Sequence, residues 1–450
     1  MRLFYQLLGN TLLSSVTNLT VWFGLTFFVF LETRSVFATA IISGIYLVTV
    51  AVSGFWFGSL VDRHRKKTVM LVSSAASLAC YGAGLAVYLL AAADAFARPS
   101  SVTLWVLVVV LLAGVIVGNL RGIALPTLVT LIIPADRRDR ANGLVGTASG
   151  ISFLIVSVIS GLLVGLGGML WVLVLALALT GGTILHLLAL AIPEQAPVPS
   201  DEHPHRIDIR GTLAVIRGVP GLFALLLFAT FNNLLGGVFM ALMDAYGLSL
   251  VSVEAWGLLW GLLSTGFIVG GLLIARFGLG RRPLRALFGA NLVIWAVCSV
   301  MTIQASLILL LVGMFTYLCV VPAIEAAEQT IIQKVVPHER QGRVFGFAQS
   351  MEMAASPLTA FLIGPLAQFV FIPFMTTGAG VELIGGWFGT GPDRGIALVF
   401  TITGLIGLAM TLISMRSPAY RRLAARYRDE NQAAPDHAAE RVPAPDLPAA

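Results

Sequence analysis

Charge is scarce in this 450-residue chain, where only 11% of residues are Asp, Glu, Lys or Arg, against roughly 25% in ordinary soluble domains. With a mean hydropathy of +0.92, such a chain cannot cover a water-exposed surface, so lipid must be most of its solvent. Cysteine is also rare. Cys80, Cys298 and Cys319 all fall in apolar stretches, where they read as small hydrophobes and not as disulfides or redox groups. His64, His186 and His338 have no second ligand at metal-binding spacing, so no metal site is expected. The sequence also lacks a Gly-x-x-x-x-Gly-Lys loop, a Gly-x-Ser-x-Gly elbow and a His-Glu-x-x-His helix, which excludes ATP hydrolysis and common hydrolase chemistries. A non-enzyme without a cofactor is expected, with an ion gradient as its remaining energy source.

Long apolar runs are what the chain has in quantity. A helix needs about 20 mostly apolar residues to cross a bilayer core of about 30 Å. Twelve such spans are read at 7–31, 36–60, 69–93, 102–131, 142–166 and 168–192, then 219–243, 255–277, 285–303, 306–333, 345–374 and 394–415. The expected fold class is an all-α membrane protein of two six-helix bundles. The first run begins without the basic start, short apolar core and cleavage site of a secretory signal, so the first helix is expected to be retained. Of 28 Lys and Arg, 24 fall in the terminal segments and alternate loops of one side, which predicts cytoplasmic termini. That distribution explains the net charge of +6 without a nucleic-acid partner, because no continuous basic face is formed.

A repeat divides the chain. "IIPADRRDRANG" at 132–143 aligns with "VVPHERQGRVFG" at 335–346, matching Pro134 to Pro337, Arg137 to Arg340, Arg140 to Arg343 and Gly143 to Gly346, always 203 residues apart. The domains read as an N-terminal bundle at 1–192, a linker with a short amphipathic segment at 193–218, a C-terminal bundle at 219–416 and a tail at 417–450, disordered past about Asn431. A long outward loop is read at 376–393.

"GSLVDRHRKK" at 58–67 concentrates charge at a membrane edge. It resembles the hallmark of the major facilitator superfamily between helices two and three, through Gly58, Leu60, Asp62, Arg63, Lys66 and Lys67. Arg65 departs from the family's Gly. "LIIPADRRDRANGL" is similar to drug:proton antiporters of the macrolide-efflux and siderophore-export type, although their Gly-Pro pair in helix five is replaced by the region of Ser157, Val158, Ser160 and Gly161. The resemblance implies that Asp62 faces the partially positive N-terminus of helix eleven, near Arg343, and holds a cytoplasmic gate shut. The bland alternative is that the cations are topology anchors only. In the second half, "GLLIARFGLGRRPLR" puts Ala275 where Asp62 would be, so the two gates are not chemically equivalent.

Charges within spans are costly and usually face a cavity. Arg121 precedes Pro134 by 13 residues and Glu325 precedes Pro337 by 12, so the two should lie at similar depth. The resemblance lines the cavity with helices one, four, seven and ten, which puts Arg121 opposite Glu325 and Glu328. These form a candidate proton-coupling site; a structural ion pair is the competing reading. Glu352 is read either as a third proton carrier or as the partner of a cytoplasmic arginine. Asp244 fits an outer gate or a solvated loop. Cavity candidates are Asn10, Asn18, Asn119, Asn232 and Asn233, together with Phe231, Met240 and Tyr317; helix bridging and packing compete for each.

The expected function is proton-coupled export of amphipathic small molecules, multidrug or macrolide-type, by a monomer in a bacterial-type plasma membrane. Its partners would be substrate, protons and lipid. A siderophore or metabolite carrier is the competing expectation, and a non-transporting sensor or assembly partner is a third. Buried charges argue against the last.

Overall fold

A computed structural model describes residues 2–33, 36–92, 95–192 and 209–439. Among them no strand occurs. The N-terminal half begins with α1 (Arg2–Thr33), α2 (Val36–Arg63) and α3 (Lys66–Leu90). α4 runs as Val102–Gly118, turns tightly at Asn119 and continues as Leu120–Ile132. A continuous stretch, Arg138–Ala189, is broken at Gly167 and Gly168. Gly168 takes φ +61, which a side chain would oppose, so the break separates α5 (138–166) from α6 (169–189).

The second half repeats the plan with α7 (Leu222–Leu250), α8 (Val253–Phe277), α9 (Pro283–Val300) and α10 (Leu307–Val335). α11 (Gln341–Leu366) continues through a π turn, Ala367–Phe371, into Ile372–Thr376, and α12 is Pro392–Arg416. Among the described residues, ten helical segments are long and apolar enough to cross a membrane. α5 and α11 are each packed against the opposite half. Ser101, Ser252 and Ser306 cap α4, α8 and α10, each accepting a hydrogen bond from the backbone three residues on, which satisfies a donor that lipid could not.

Hydrophobicity alone cannot hold helices together in lipid; close packing must. Gly24 receives Val172 of α6, and Gly114 receives Tyr81 of α3. The two lobes, α1–α6 and α7–α12, meet at the end that carries the basic turns and the tail. α2 there lies against α11, and α5 against α8.

The connecting segments differ from expectation. The 376–393 loop contains two short helices, Ala379–Leu383 and Gly385–Phe388, and Gly391 donates its N–H to Met375 O at 2.9 Å. The tail, expected to lose order past Asn431, is helical over Pro418–Ala439. Its Ala, Arg, Glu and Gln favour helix, and Leu423 is buried while Tyr420 packs edge-on against Phe288 at 5.2 Å. Within the linker, Ile209–Gly218 is helical; the linker residues 193–208 and the last eleven of the tail lie outside the described residues.

Candidate functional site

A cavity of about 160 Å³ opens within the C-terminal lobe, between α7, α9, α10 and α11. Its polar lining is Asn232, Asn233, Asn291, Trp295, Tyr317, Glu325, Glu328 and Glu352, with no Lys or Arg among the described residues that line it. Glu325 sits mid-helix in α10, is solvent-exposed and lines the cavity, which marks a cavity wall rather than a core. Glu328 follows by three residues on the same helix face. Glu352 comes from α11 and lines the same cavity as Glu325 and Glu328. Glu352 therefore belongs with the acids and not with a basic-end arginine.

Asn232 accepts a hydrogen bond from Trp295 Nε1 at 2.6 Å and donates to Phe228 O at 2.7 Å, while Asn233 donates to Ala229 O at 3.2 Å. Tyr317 lies between Phe239, with ring centroids 6.5 Å apart, and the Glu325 side. Phe231 packs on the lobe's apolar core and does not line the cavity. Met240, 79% exposed, lies a turn beyond Gly236, the last α7 residue in the lining.

Arg121 is not part of this cavity. It is 2% exposed within the N-terminal lobe, where it donates to Ser74 Oγ at 2.9 Å and to Asn10 Oδ1; its Nε has no hydrogen-bond partner among the described residues. Asn10 in turn donates to Thr183 O at 2.9 Å and contacts His186 Nδ1 at 3.0 Å. The expected pairing of Arg121 with Glu325 is thus corrected. Matching distances from Pro134 and Pro337 fix height along a helix, not the face from which a side chain projects.

The other two N-lobe amides also bridge helices. Asn18 Oδ1 accepts from Tyr81 OH at 2.8 Å, and Asn119 Nδ2 donates to Tyr46 OH at 3.3 Å. Asp244 joins α7 to the start of α8 by accepting from the indoles of Trp256 and Trp260 at 3.0 and 3.1 Å.

Asp62, at the end of α2, accepts from the backbone N–H groups of Gly342 (2.6 Å) and Arg343 (2.8 Å), and Arg343 Nε lies 3.8 Å away. These are donors that the first turn of α11 cannot use internally. Gly54 and Gly58 of α2 lie directly on Gly346 and Gly342 of α11, so closely that a methyl on any of them would overlap the opposite strand of atoms. Lys67 donates to Leu188 O at 3.1 Å and Leu190 O at 2.5 Å, tying the α2–α3 turn to the end of α6. Lys66 is buried and Arg63 closes the last turn of α2. Arg65, where the resembled motif has Gly, adopts φ −59; the turn requires no glycine.

Two residues escaped the sequence reading. Asn291 lines the cavity. Arg394, at the start of α12, is 2% exposed and donates to the carbonyls of Phe388, Thr302 and Ile303 at 2.7, 2.9 and 2.6 Å and to Tyr246 OH at 3.2 Å, with its guanidinium 4.4 Å from the Phe388 ring. Only the neighbouring aromatics, Trp387 and Phe388, hinted at such a pocket.

Two six-helix lobes, a polar cavity between membrane-spanning helices and a glycine-packed closure at one end define a membrane transporter. Residues 7–360 match the model of the Major Facilitator Superfamily, and the chain belongs to that family. It is 24% identical over 378 residues to macrolide efflux protein A of Streptococcus pyogenes, covering 80% of this chain and 88% of the relative. To macrolide efflux protein A of Enterococcus faecalis it is 25% identical over 327 residues, or 68% and 94% of the two chains. The fold is similar to the crystal structure of a bacterial homologue of the iron transporter ferroportin in an outward-facing state, with a TM-score of 0.70, 16% identity and coverage of 93% and 100%.

Proposed function

We propose that the protein is a proton-coupled exporter of amphipathic small molecules, working by alternating access in a bacterial plasma membrane with both termini in the cytoplasm. The observation that carries this reading is the grouping of Glu325, Glu328 and Glu352 in one cavity without a cation in its lining. Three neighbouring carboxylates in such surroundings cannot all be ionised, so the cavity holds at least one proton. A proton taken up on one side and released on the other, in exchange for substrate, is the coupling such a group supports. A proton falling through 100 mV releases roughly 2.3 kcal/mol, sufficient for about a fiftyfold substrate gradient.

The apolar walls, including Phe228, Ile294 and Trp295, suit an amphipathic substrate, and the likeness to macrolide efflux proteins favours export. Asp62 holds the basic end shut while the cavity is open at the opposite end. Arg121 serves as the hub of the N-terminal lobe.

The test is purified protein in liposomes with an imposed pH gradient and a panel of macrolides, dyes and siderophores. Gradient-driven movement of an amphipathic compound is expected, and Glu325→Gln is expected to abolish the drive while leaving downhill exchange. Movement indifferent to the gradient in the unmodified protein would overturn proton coupling.

A further inference from the structure

At the basic end the two lobes touch along two seams related by the repeat. In the first, α2 supplies Asp62 and α11 supplies a glycine, Gly342, whose missing side chain leaves the slot that the carboxylate fills. In the second, α8 and α5 stand where α2 and α11 stand in the first. Gly143 and Gly271 repeat the close backbone approach there, Gly143 lying 2.8 Å from Ala275 N by the position its Cβ would take. The acid, however, is missing from α8, where Ala275 offers only a methyl.

The residue 203 positions before Gly342 is Asp139. Its Oδ2 accepts the backbone N–H of Leu279, in the turn after α8, at 2.7 Å, and its Oδ1 accepts the N–H of Arg140 in the first turn of α5 at 2.7 Å. The turn comes this near because Gly278 takes φ +72; a Cβ there would sit 2.6 Å from the same carboxylate oxygen. Each seam therefore has one acid, one small residue opposite it and main-chain donors held between them, with the acid on α2 in the first seam and on α5, the counterpart of α11, in the second.

We propose that Asp139 is the latch of the second seam, a positioning residue that replaces an acid at position 275 by reaching across from the other lobe. Its two bonds are made to separate lobes, so they can coexist only while the basic end is closed. Opening that end breaks the bond to Leu279 and keeps the one to Arg140. Both latches then leave with the N-terminal lobe: Asp62 exposes main-chain donors on α11, and Asp139 exposes a donor of the α8–α9 turn. After opening, both acids are on one lobe and both sets of free donors on the other.

The test moves the acid back. Spin labels are placed at Arg137 and Arg281, on the exposed turns of the two lobes, in full-length protein with the three cysteines changed to alanine, and their distance distribution is measured in lipid. Asp139→Gly is expected to lower the closed-to-open ratio roughly tenfold, the loss of one charge-assisted hydrogen bond. Ala275→Asp alone is expected to lower it too, because two carboxylates then crowd one slot. The double variant, Asp139→Gly with Ala275→Asp, rebuilds the first seam's arrangement in the second and is expected to recover the original distribution. Additive losses in the double variant, or an unchanged distribution in Asp139→Gly, would overturn the assignment. Should the double variant not fold, Asp139→Asn decides: a distribution unchanged from the parent overturns the latch, and a shift to open supports it. The latch matters to transport only under the alternating-access reading, but the distance needs neither substrate nor gradient, so the two fail separately.

Discussion

Gly346 illustrates how much one hydrogen atom in place of a methyl decides here. A Cβ at that position would run into the backbone carbonyl of Gly54 on the other lobe, and a backbone cannot rotate aside as a side chain would. Gly346→Ala is expected to hold the basic end apart, reducing transport at least tenfold while leaving expression and detergent-solubilised melting close to the parent; labelling of a cysteine at Arg137 in everted membranes should accelerate. Arg394 is the opposite case, a residue valued for the number of donors it carries. Its fork reaches three carbonyls and one hydroxyl, a set that one ammonium cannot reproduce. Arg394→Lys is therefore expected to lower the melting temperature by several degrees with no change in proton coupling, as fluorimetric unfolding in detergent would register.

Among the elements, the turn between α10 and α11 carries a pH dependence. Burial, then Lys66 of α3, hold the His338 imidazole below its ordinary range, with Arg138 of α5 adding to the effect and Glu339 opposing it. Lys66 and Arg138 belong to the other lobe, so their influence exists only while the basic end is closed. The closed form thus binds fewer protons at His338 than the open form. Its share should rise with pH through the region around 6.5 and fall as the medium is acidified. Spin-label distances at pH 8 and pH 5.5 should show the shift, and His338→Gln should remove it; a variant with the parent's pH response would refute this origin.

The same scale shows what the sequence could reveal. Twelve spans, the lobes' repeat and the glycine-rich motif around Asp62 were readable because helix length, charge asymmetry and main-chain donors at a helix start are local properties. The partner of Arg121 was not, since a rise of 1.5 Å per residue locates a group along an axis and leaves its rotation free. Glu328 and Glu352 illustrate the same limit: a three-residue spacing puts Glu328 on the helix face of Glu325, whereas Glu352, on a different helix, admitted two partners until the helices were placed together.

For the whole molecule, the tail helix is held to the C-terminal lobe by Leu423, Tyr420 and the close fit of Gly221 beneath Ala419 and Leu423. Removing residues 418–450 should strip the cover from Phe288 and lower thermal stability, while gradient-driven transport per folded molecule changes less than twofold. A loss of transport without a loss of stability would instead give the tail a part in the cycle.

The Lys67 ammonium, seated on the last carbonyls of α6, has a mechanical consequence. The peptide leaving α6 toward the other lobe starts from the point to which the turn beside Asp62 is fastened, so tension along that connection reaches the turn without passing through the apolar interior. Shortening the connection should therefore act as a tether on the lobes' swing, slowing turnover more than it weakens substrate binding.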